Sequence, residues 1–153
     1  QRSDVIPIMG LGTHFGLILV YLGGSIGFNS WLIKGFMDTI SPSLDEAAKV
    51  DGASEFQIFS KIIAPLTRPI LIVIFVITFI GIYSDYILAA IFLKDKNLWT
   101  VAVGINTVFV DDFNADWGVI AASSVIAATP IAMLFIFFQK QITGGLTAGS
   151  VKG

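Results

Sequence analysis

The chain has 153 residues, of which 55% are hydrophobic and only 13% are charged, and its formal net charge is −2. This composition is too apolar for an ordinary soluble domain, and it lacks the basic excess of a nucleic-acid-binding protein. Cysteine is absent, which excludes disulfides, thiol nucleophiles and cysteine-based metal sites within this sequence. The sequence begins at Gln1 without a signal-peptide pattern, so we expect it to be a fragment whose upstream part is missing.

The first apolar run is long enough to cross a bilayer, which takes roughly 20 helical residues. It covers about residues 15–33 and lies between His14 and Lys34. Glycines four residues apart permit close approach between membrane helices, and here they form two pairs: Gly12 with Gly16 and Gly23 with Gly27. Such pairs favour a packed bundle over a single anchor, with chance glycine placement as the alternative.

A polar segment at residues 41–65 comes next and predicts two short amphipathic helices. The first helix starts either at Ser41, with Pro42 in its first turn, or in a capping box between Ser43 and Glu46. Gly52 stands where such a helix ends on a residue in the left-handed conformation.

The second helix of this segment starts with another capping-box pattern, Ser54 followed by Gln57. It is expected to end before Pro65. Four residues form its predicted apolar face: Phe56, Phe59, Ile62 and Ile63. The sequence therefore predicts a helix-turn-helix unit lying across the membrane surface. Each signal also has a simpler explanation, in which Glu46 only caps a helix, Gly52 only stops one and Pro65 only starts the next.

The second apolar run covers residues 69–93 and the third covers residues 117–138, followed by a tail at 139–153. Backbone polar groups in lipid have to be satisfied within their own segment, so all three runs are predicted to be helices. The expected fold is all-α, a polytopic membrane helix bundle.

The basic residues predict how these spans are oriented. Most of them lie in the segment 34–68 or in the tail: Lys34, Lys49, Lys61, Arg68, Lys140 and Lys152. The opposite side carries fewer: Arg2, Lys94 and Lys96. Short loops rich in Lys and Arg stay in the cytoplasm, so the segment 34–68 and the C-terminus are predicted to be cytoplasmic.

Two stretches partly match patterns for nucleotide or metal binding, but neither match is complete. The tail has Gly144 and Gly149 spaced as in a phosphate loop, but Ser150 follows where lysine is required. Residues 112–116 begin like a calcium loop, but Trp117 occupies the position of the turn glycine. The single histidine offers neither a catalytic pair nor a multi-histidine site. The chain is therefore predicted to bind no metal or ATP itself and not to be an enzyme.

The polar segment is similar to the Glu-Ala-Ala loop of permeases from binding-protein-dependent ABC transporters. Six residues carry this resemblance: Glu46, Ala47, Ala48, Gly52, Ile62 and Pro65. One departure is Ala64, because the family usually has leucine there; the smaller residue would weaken one apolar contact and leave the rest of the loop intact. Further stretches at 21–24, 31–35 and 99–104 resemble the maltose/maltodextrin branch of the family, and the tail at 145–153 is the most specific of all.

This resemblance implies a partial ABC permease transmembrane domain over residues 1–153, with three of six helices, in a bacterial or archaeal cytoplasmic membrane. The substrate would be maltose, maltodextrin or a related oligosaccharide. The implied partners are a second permease subunit, two ATPase subunits, an extracytoplasmic solute-binding protein and membrane lipid, with no nucleic acid. ATP and Mg²⁺ would bind to the ATPases, and this chain would hold no cofactor.

The resemblance also implies roles for particular residues. The six loop residues would dock in a cleft on the ATPase, with Glu46 paired to a basic residue there. Four residues would dock the tail against the ATPase pair: Leu146, Thr147, Gly149 and Lys152.

Asp85 lies inside the second predicted span, close to Tyr83. An ionised aspartate at the bilayer centre costs on the order of 3 kcal/mol, so it should face protein or water. Two interpretations stay open: a solvated carboxylate near the outer interface, or part of a polar and aromatic wall along a sugar pathway. Asn29 in the first span is a further candidate for that wall.

Other classes of function also stay open from the sequence. A proton-coupled membrane carrier could use Asp85 as its ionisable group and would work without an ATPase. A passive membrane scaffold would leave the Glu-Ala-Ala loop without a partner. Within ABC importers, the substrate could instead be a glycerol phosphate or another carbohydrate.

Overall fold

The computed structural model describes residues 10–110 and 117–147, with side chains for 10–107 and 117–141. The helices are α1 (His14–Met37), α2 (Pro42–Val50), α3 (Glu55–Ile58), α4 (Ala64–Tyr83), α5 (Ile87–Phe92), α6 (Val101–Val110) and α7 (Trp117–Thr147). A π-helical turn covers Phe59–Ile63 and a 3₁₀ turn covers Lys96–Leu98. These described ranges contain no strand, and the predicted all-α class is confirmed.

Three helical stretches are long and apolar enough to cross a membrane: His14–Met37, Glu55–Tyr83 and Trp117–Gln141. Only 6% to 17% of the residues in their most apolar windows are buried within the chain. A soluble fold would cover such surfaces, so these helices are suited to contact with lipid or with further membrane helices.

Helix α1 extends beyond the predicted 15–33 at both ends. The hydroxyl of Thr13 caps its start by accepting the N–H of Gly16 at 3.1 Å. At the other end, Lys34 donates to Asp38 at 2.8 Å, one turn further on. A lysine in the last turn also interacts favourably with the helix dipole, which accounts for a helix that continues past the apolar run.

The second predicted span, 69–93, is placed differently by the structure. The expectation that the preceding helix ends before Pro65 is wrong, because α3 continues through the π turn into α4. Pro65 has no N–H to donate to the carbonyl four residues earlier. The wider turn just before it, in which the N–H of Ala64 bonds to the carbonyl of Phe59, lets the helix continue past the proline.

The predicted second span is also interrupted, because α4 ends at Tyr83 and α5 begins at Ile87. Asp85 gives the physical reason. Its carboxylate accepts the N–H groups of Leu88 at 3.2 Å and Ala89 at 3.3 Å. An aspartate that bonds to the backbone of the following turn favours the start of a helix over its interior.

The third predicted span, 117–138, lies within α7, which continues to Thr147. The last helical residues therefore fall in the segment that the sequence assigned to the tail at 139–153.

The chain forms two compact units. The first contains the described residues of Gln1–Ser25 and Thr78–Ile136, and its core residues are Leu17, Ala89, Leu93 and Val103. The second contains Ile26–Ile77 and the described residues of Phe137–Gly153. In the second unit Ile58 and Ile74 are buried, and the rings of Phe75 and Phe138 meet edge to face at 6.0 Å.

Candidate functional site

Helix α2 carries the first part of residues 41–65, which we call the coupling loop. It starts at the first of the two predicted places, with Ser41 as N-cap and Pro42 as the first helical residue. The Ser43 hydroxyl is hydrogen bonded to the Ser41 hydroxyl at 2.8 Å, so the alternative capping box with Glu46 does not form. Proline suits this position because its fixed φ matches the helix and its missing N–H would have no partner there.

Glu46 is exposed on α2, as is Ala47, while Ala48 is half-buried. Among the described residues, no hydrogen bond or salt bridge engages the Glu46 carboxylate. Helix capping therefore does not account for this glutamate. An exposed and uncompensated carboxylate is suited to a basic group on another molecule.

Gly52 ends α2 in the predicted left-handed conformation, with a φ of +80°. Its N–H donates to the carbonyl of Lys49, and the N–H of Ala53 donates to the carbonyl of Ala48, both at 3.0 Å. These two bonds form a complete Schellman motif, which fixes the direction in which the chain leaves α2. A Cβ at Gly52 would meet no atom within 4 Å, so backbone strain alone limits substitution within the chain.

Lys49 links the two helices of the coupling loop. Its ammonium group donates to Asp45 at 2.8 Å and lies 3.5 Å from Glu55 at the start of α3. The hydrogen bond to Asp45, followed by the negative charges of Asp45 and Glu55, raises the pKa of Lys49 above its usual value. The side chain stays charged at neutral pH, but exposed pairs of this kind add little to stability.

Helix α3 starts with the predicted capping box. The Ser54 hydroxyl accepts the N–H of Gln57, and the Gln57 side chain accepts the N–H of Ser54 at 2.8 Å. The two helices of the coupling loop are therefore joined by a short turn whose backbone groups are satisfied on both sides.

The coupling loop exposes three large apolar side chains, which we call its apolar surface: Val50, Phe56 and Phe59, which are 87%, 77% and 58% exposed. Ile62, in the π turn, is half-buried, and Pro65 is exposed. The sequence predicted Phe56 and Phe59 on this surface but missed Val50, because its exposure follows from the helix end at Gly52 and not from periodicity.

The apolar surface lies on a segment that also carries charged groups: Asp45, Glu46, Lys49 and Glu55. Large exposed apolar patches mark sites of contact with other proteins or with a membrane. A short amphipathic helix of this kind fits an apolar groove on a partner. The coupling loop therefore combines apolar and charged groups that are suited to contact with a partner.

Asp85 lies in the first unit and is half-buried. Besides the backbone bonds to α5, its Oδ2 atom accepts the hydroxyl of Tyr21 at 2.6 Å. Tyr21 was not singled out from the sequence, because its partner is 64 residues away and no local pattern joins them. Asp85, a candidate for the substrate pathway, therefore accepts three hydrogen bonds from its own chain.

Tyr83, the second candidate for a substrate pathway, stacks on Phe79 with ring centroids 5.5 Å apart. With Ser84 it forms the polar edge of a cavity of about 200 Å³. The remaining lining is apolar: Val101, Ala102, Ile105, Ala127, Ala128 and Ile131. Asn29 is half-buried on α1 in the second unit and does not line this cavity.

The tail residues are only partly within the described chain. Leu146 and Thr147 are the last two residues of α7, while Gly149 and Lys152 lie outside the described residues. Within 10–110 and 117–147, no group of three or more His, Asp or Glu side chains could hold a metal ion.

Comparison with known proteins identifies the family. A family model for the binding-protein-dependent transport system inner membrane component matches residues 5–146. The maltose/maltodextrin transport system permease protein MalG of Vibrio vulnificus (strain YJ016) is 46% identical over 153 residues, covering 100% of this chain and 51% of that protein. MalG of Escherichia coli (strain K12) is 43% identical over the same length, with 51% of that protein covered.

The similarity holds in another organism as well. MalG of Yersinia pestis is 43% identical over 151 residues, which are 99% of this chain and 49% of that protein. The chain therefore spans about half the length of the curated relatives that it matches.

The resemblance drawn from the Glu-Ala-Ala pattern is confirmed by these matches. Together with the three apolar helices, they indicate an inner-membrane protein that crosses the bilayer more than once. The chain belongs to the family of binding-protein-dependent transport system inner membrane components.

Proposed function

We propose that this chain forms part of the transmembrane permease subunit of an ATP-driven ABC importer for sugars. The coupling loop carries this proposal, because it combines an exposed Glu46, a fixed turn at Gly52 and an apolar surface without a described partner. The substrate class is maltose, maltodextrin or a related oligosaccharide, which rests on the names of the relatives.

The coupling loop would act by docking in a cleft on an ATPase subunit. Its apolar surface would enter the cleft, and Glu46 would pair with a basic residue of the ATPase. Because α3 is continuous with α4 through the π turn, displacement of the loop would reach the membrane span without an intervening flexible joint. ATP-driven closure of the ATPases would thereby move the spans between inward-facing and outward-facing states.

The proposed assembly contains a second permease subunit, two ATPase subunits and an extracytoplasmic solute-binding protein. ATP and Mg²⁺ belong to the ATPases, and this chain is a transport subunit without a cofactor. We place the assembly in a bacterial or archaeal cytoplasmic membrane, with the segment 34–68 and the C-terminus in the cytoplasm. The basic residues of that segment and of the tail support this orientation.

The route of the sugar is proposed to pass Tyr83, whose ring is an aromatic surface beside a cavity. Asn29 is a further candidate on α1. Asp85 is less suited to sugar contact or to a proton-coupled carrier, because one of its two carboxylate oxygens, Oδ2, already accepts three hydrogen bonds from the chain. A carrier of that kind would transport without an ATPase, which distinguishes the two mechanisms directly.

The first prediction concerns Gly52→Trp in the full-length permease. A side chain at this φ strains the backbone by about 1–2 kcal/mol, and the indole would hold the coupling loop out of its cleft. We expect ATP-dependent sugar uptake to fall by about tenfold or more while the amount of permease in the membrane stays the same.

The matched control is Gly52→Asn, because asparagine tolerates the left-handed conformation and is small. It should retain most of the uptake. Normal uptake by Gly52→Trp at equal abundance would contradict the coupling role of this turn.

The second prediction compares Glu46→Lys with Glu46→Gln. Lysine would face a basic group of the ATPase, and such like-charge contact costs several kcal/mol. We expect Glu46→Lys to lower the affinity for the ATPase strongly and Glu46→Gln to lower it less, as measured by binding to the purified full-length permease. Since Glu46 does not cap α2, both variants should keep the start of that helix. Equal ATPase affinities for the wild type and both variants would contradict a pairing role for Glu46.

The third prediction concerns the tail, which we propose to be a docking element. Deletion of residues 146–153 leaves all three candidate spans intact, because the last of them ends at Gln141. Glycine-rich backbone can approach a partner closely and bond through its amides and carbonyls. The deletion should therefore reduce assembly with the ATPases or stimulated ATP hydrolysis.

A variant with the same eight positions in scrambled order is the control for length and composition. It should behave like the deletion if sequence-specific docking matters. Assembly and hydrolysis at the wild-type level in the deletion would show that the tail is only a solvated end.

A further inference from the structure

One face of α1 contacts the part of the first unit that follows the break after α4. This face contains His14, Leu17 and Tyr21, which are three and four residues apart and therefore lie on the same side of the helix. Their partners lie between Asp85 and Val103 in the sequence. We call His14, Leu17, Tyr21 and Asp85 the clasp.

The clasp is polar at its two ends and apolar between them. The His14 Nε2 atom lies 2.9 Å from the carbonyl oxygen of Leu98, and the Tyr21 hydroxyl donates to Asp85 at 2.6 Å. Between them, Leu17 is buried against Ala89 and other core residues. Two hydrogen bonds over about two helical turns fix both the register and the rotation of the segment on α1.

A single oxygen atom of Asp85 bonds both to the start of α5 and to α1. Oδ2 accepts the N–H groups of Leu88 and Ala89, which sets the residue where α5 starts. It also accepts the hydroxyl of Tyr21, which holds that start against α1. Hydrogen bonds to an ionised carboxylate are roughly twice as strong as neutral ones, so the start of α5 and its contact with α1 depend on the same charge.

We propose that Asp85 is a positioning residue of the transport cycle, which keeps α5 on α1 while the break at residues 84–86 serves as the joint at which α4 moves. The regular hydrogen-bonding pattern of the backbone is interrupted at this break, because α4 ends at Tyr83 and α5 starts at Ile87. A change in the direction of α4 therefore requires fewer helical hydrogen bonds to break here than inside either helix. The transport cycle rests on the function proposed above, whereas the clasp itself is a property of the resting chain.

The role is distinct from sugar binding. Tyr21 and the α5 backbone bond to Oδ2, so a sugar that left the clasp intact would have to bind Asp85 through Oδ1. A positioning residue changes the rate of transport and leaves the half-saturating sugar concentration alone, whereas a sugar contact changes that concentration.

The test places spin labels on cysteines at Ile18 on α1 and Ile91 on α5 in the full-length permease within its complex. Both positions are exposed, and these 153 residues contain no native cysteine. Pulsed EPR should give one narrow distance between the labels, the same in the nucleotide-free and ATP-trapped states. Tyr21→Phe should shift the equilibrium between docked and undocked α5 by about tenfold or more and broaden the distance distribution.

Tyr86→Phe is the matched control, because it removes a hydroxyl group next to Asp85 without touching the clasp. Its distance distribution should equal that of the wild type. In uptake assays, Tyr21→Phe should lower the maximal rate at an unchanged half-saturating sugar concentration.

Three results would overturn the proposal: a wild-type distribution in Tyr21→Phe, a label distance that changes between nucleotide states in the wild type, or a raised half-saturating concentration in Asp85→Asn with unchanged label distances. The resting-state measurement needs neither sugar nor ATP. Failure of the importer function would instead appear as missing ATP-dependent uptake with the clasp intact.

Discussion

Each interruption of a helix leaves backbone N–H and carbonyl groups that need other partners, and this constraint shapes the two interruptions between Glu55 and Phe92. A backbone group left unpaired away from water costs free energy comparable to a lost hydrogen bond. At Pro65 the chain meets this requirement with a π turn, in which the N–H of Ala64 reaches the carbonyl of Phe59. After Tyr83 it meets the same requirement with the carboxylate of Asp85, which caps the next helix. Both interruptions are thus bridged by hydrogen bonds.

The two interruptions have opposite mechanical consequences. The π turn keeps α3 and α4 continuous, so the second helix of the coupling loop extends directly from a candidate membrane span. The break at Asp85 separates α4 from α5, and α5 packs with α1 residues in the core of the first unit. In the function that we propose, a helix that is continuous at the coupling loop and jointed at its other end would transmit movement from a docked partner. The turn at Gly52 would also help to transmit movement, because its Schellman bonds fix the direction in which the chain passes from α2 to α3.

Local sequence signals were sufficient to predict helix starts and ends wherever the residues that determine them lie within a few positions of one another. The left-handed Gly52 and the capping box of Ser54 with Gln57 were predicted, and Ser41 was one of two predicted starts of α2. The continuation past Pro65 was not, because the propensity of proline to end helices was overcome by a change of hydrogen-bonding pattern that no residue type signals. The bond between Tyr21 and Asp85 could not be predicted either, since it joins residues 64 positions apart. Asp85 was recognised as unusual for its charge, but its role as a helix cap required the structure.

We propose above all that an ATPase docks on the exposed apolar surface of the coupling loop. A photo-crosslinking amino acid at Phe56, which is 77% exposed, tests it in membranes that contain the full-length permease and its complex. The account predicts an adduct with an ATPase subunit that carries a phosphate-binding loop, identified by mass spectrometry, and a much weaker adduct from a crosslinker at Phe28 on the membrane span α1. Equal labelling from both positions, or adducts from Phe56 with lipid alone, would contradict it.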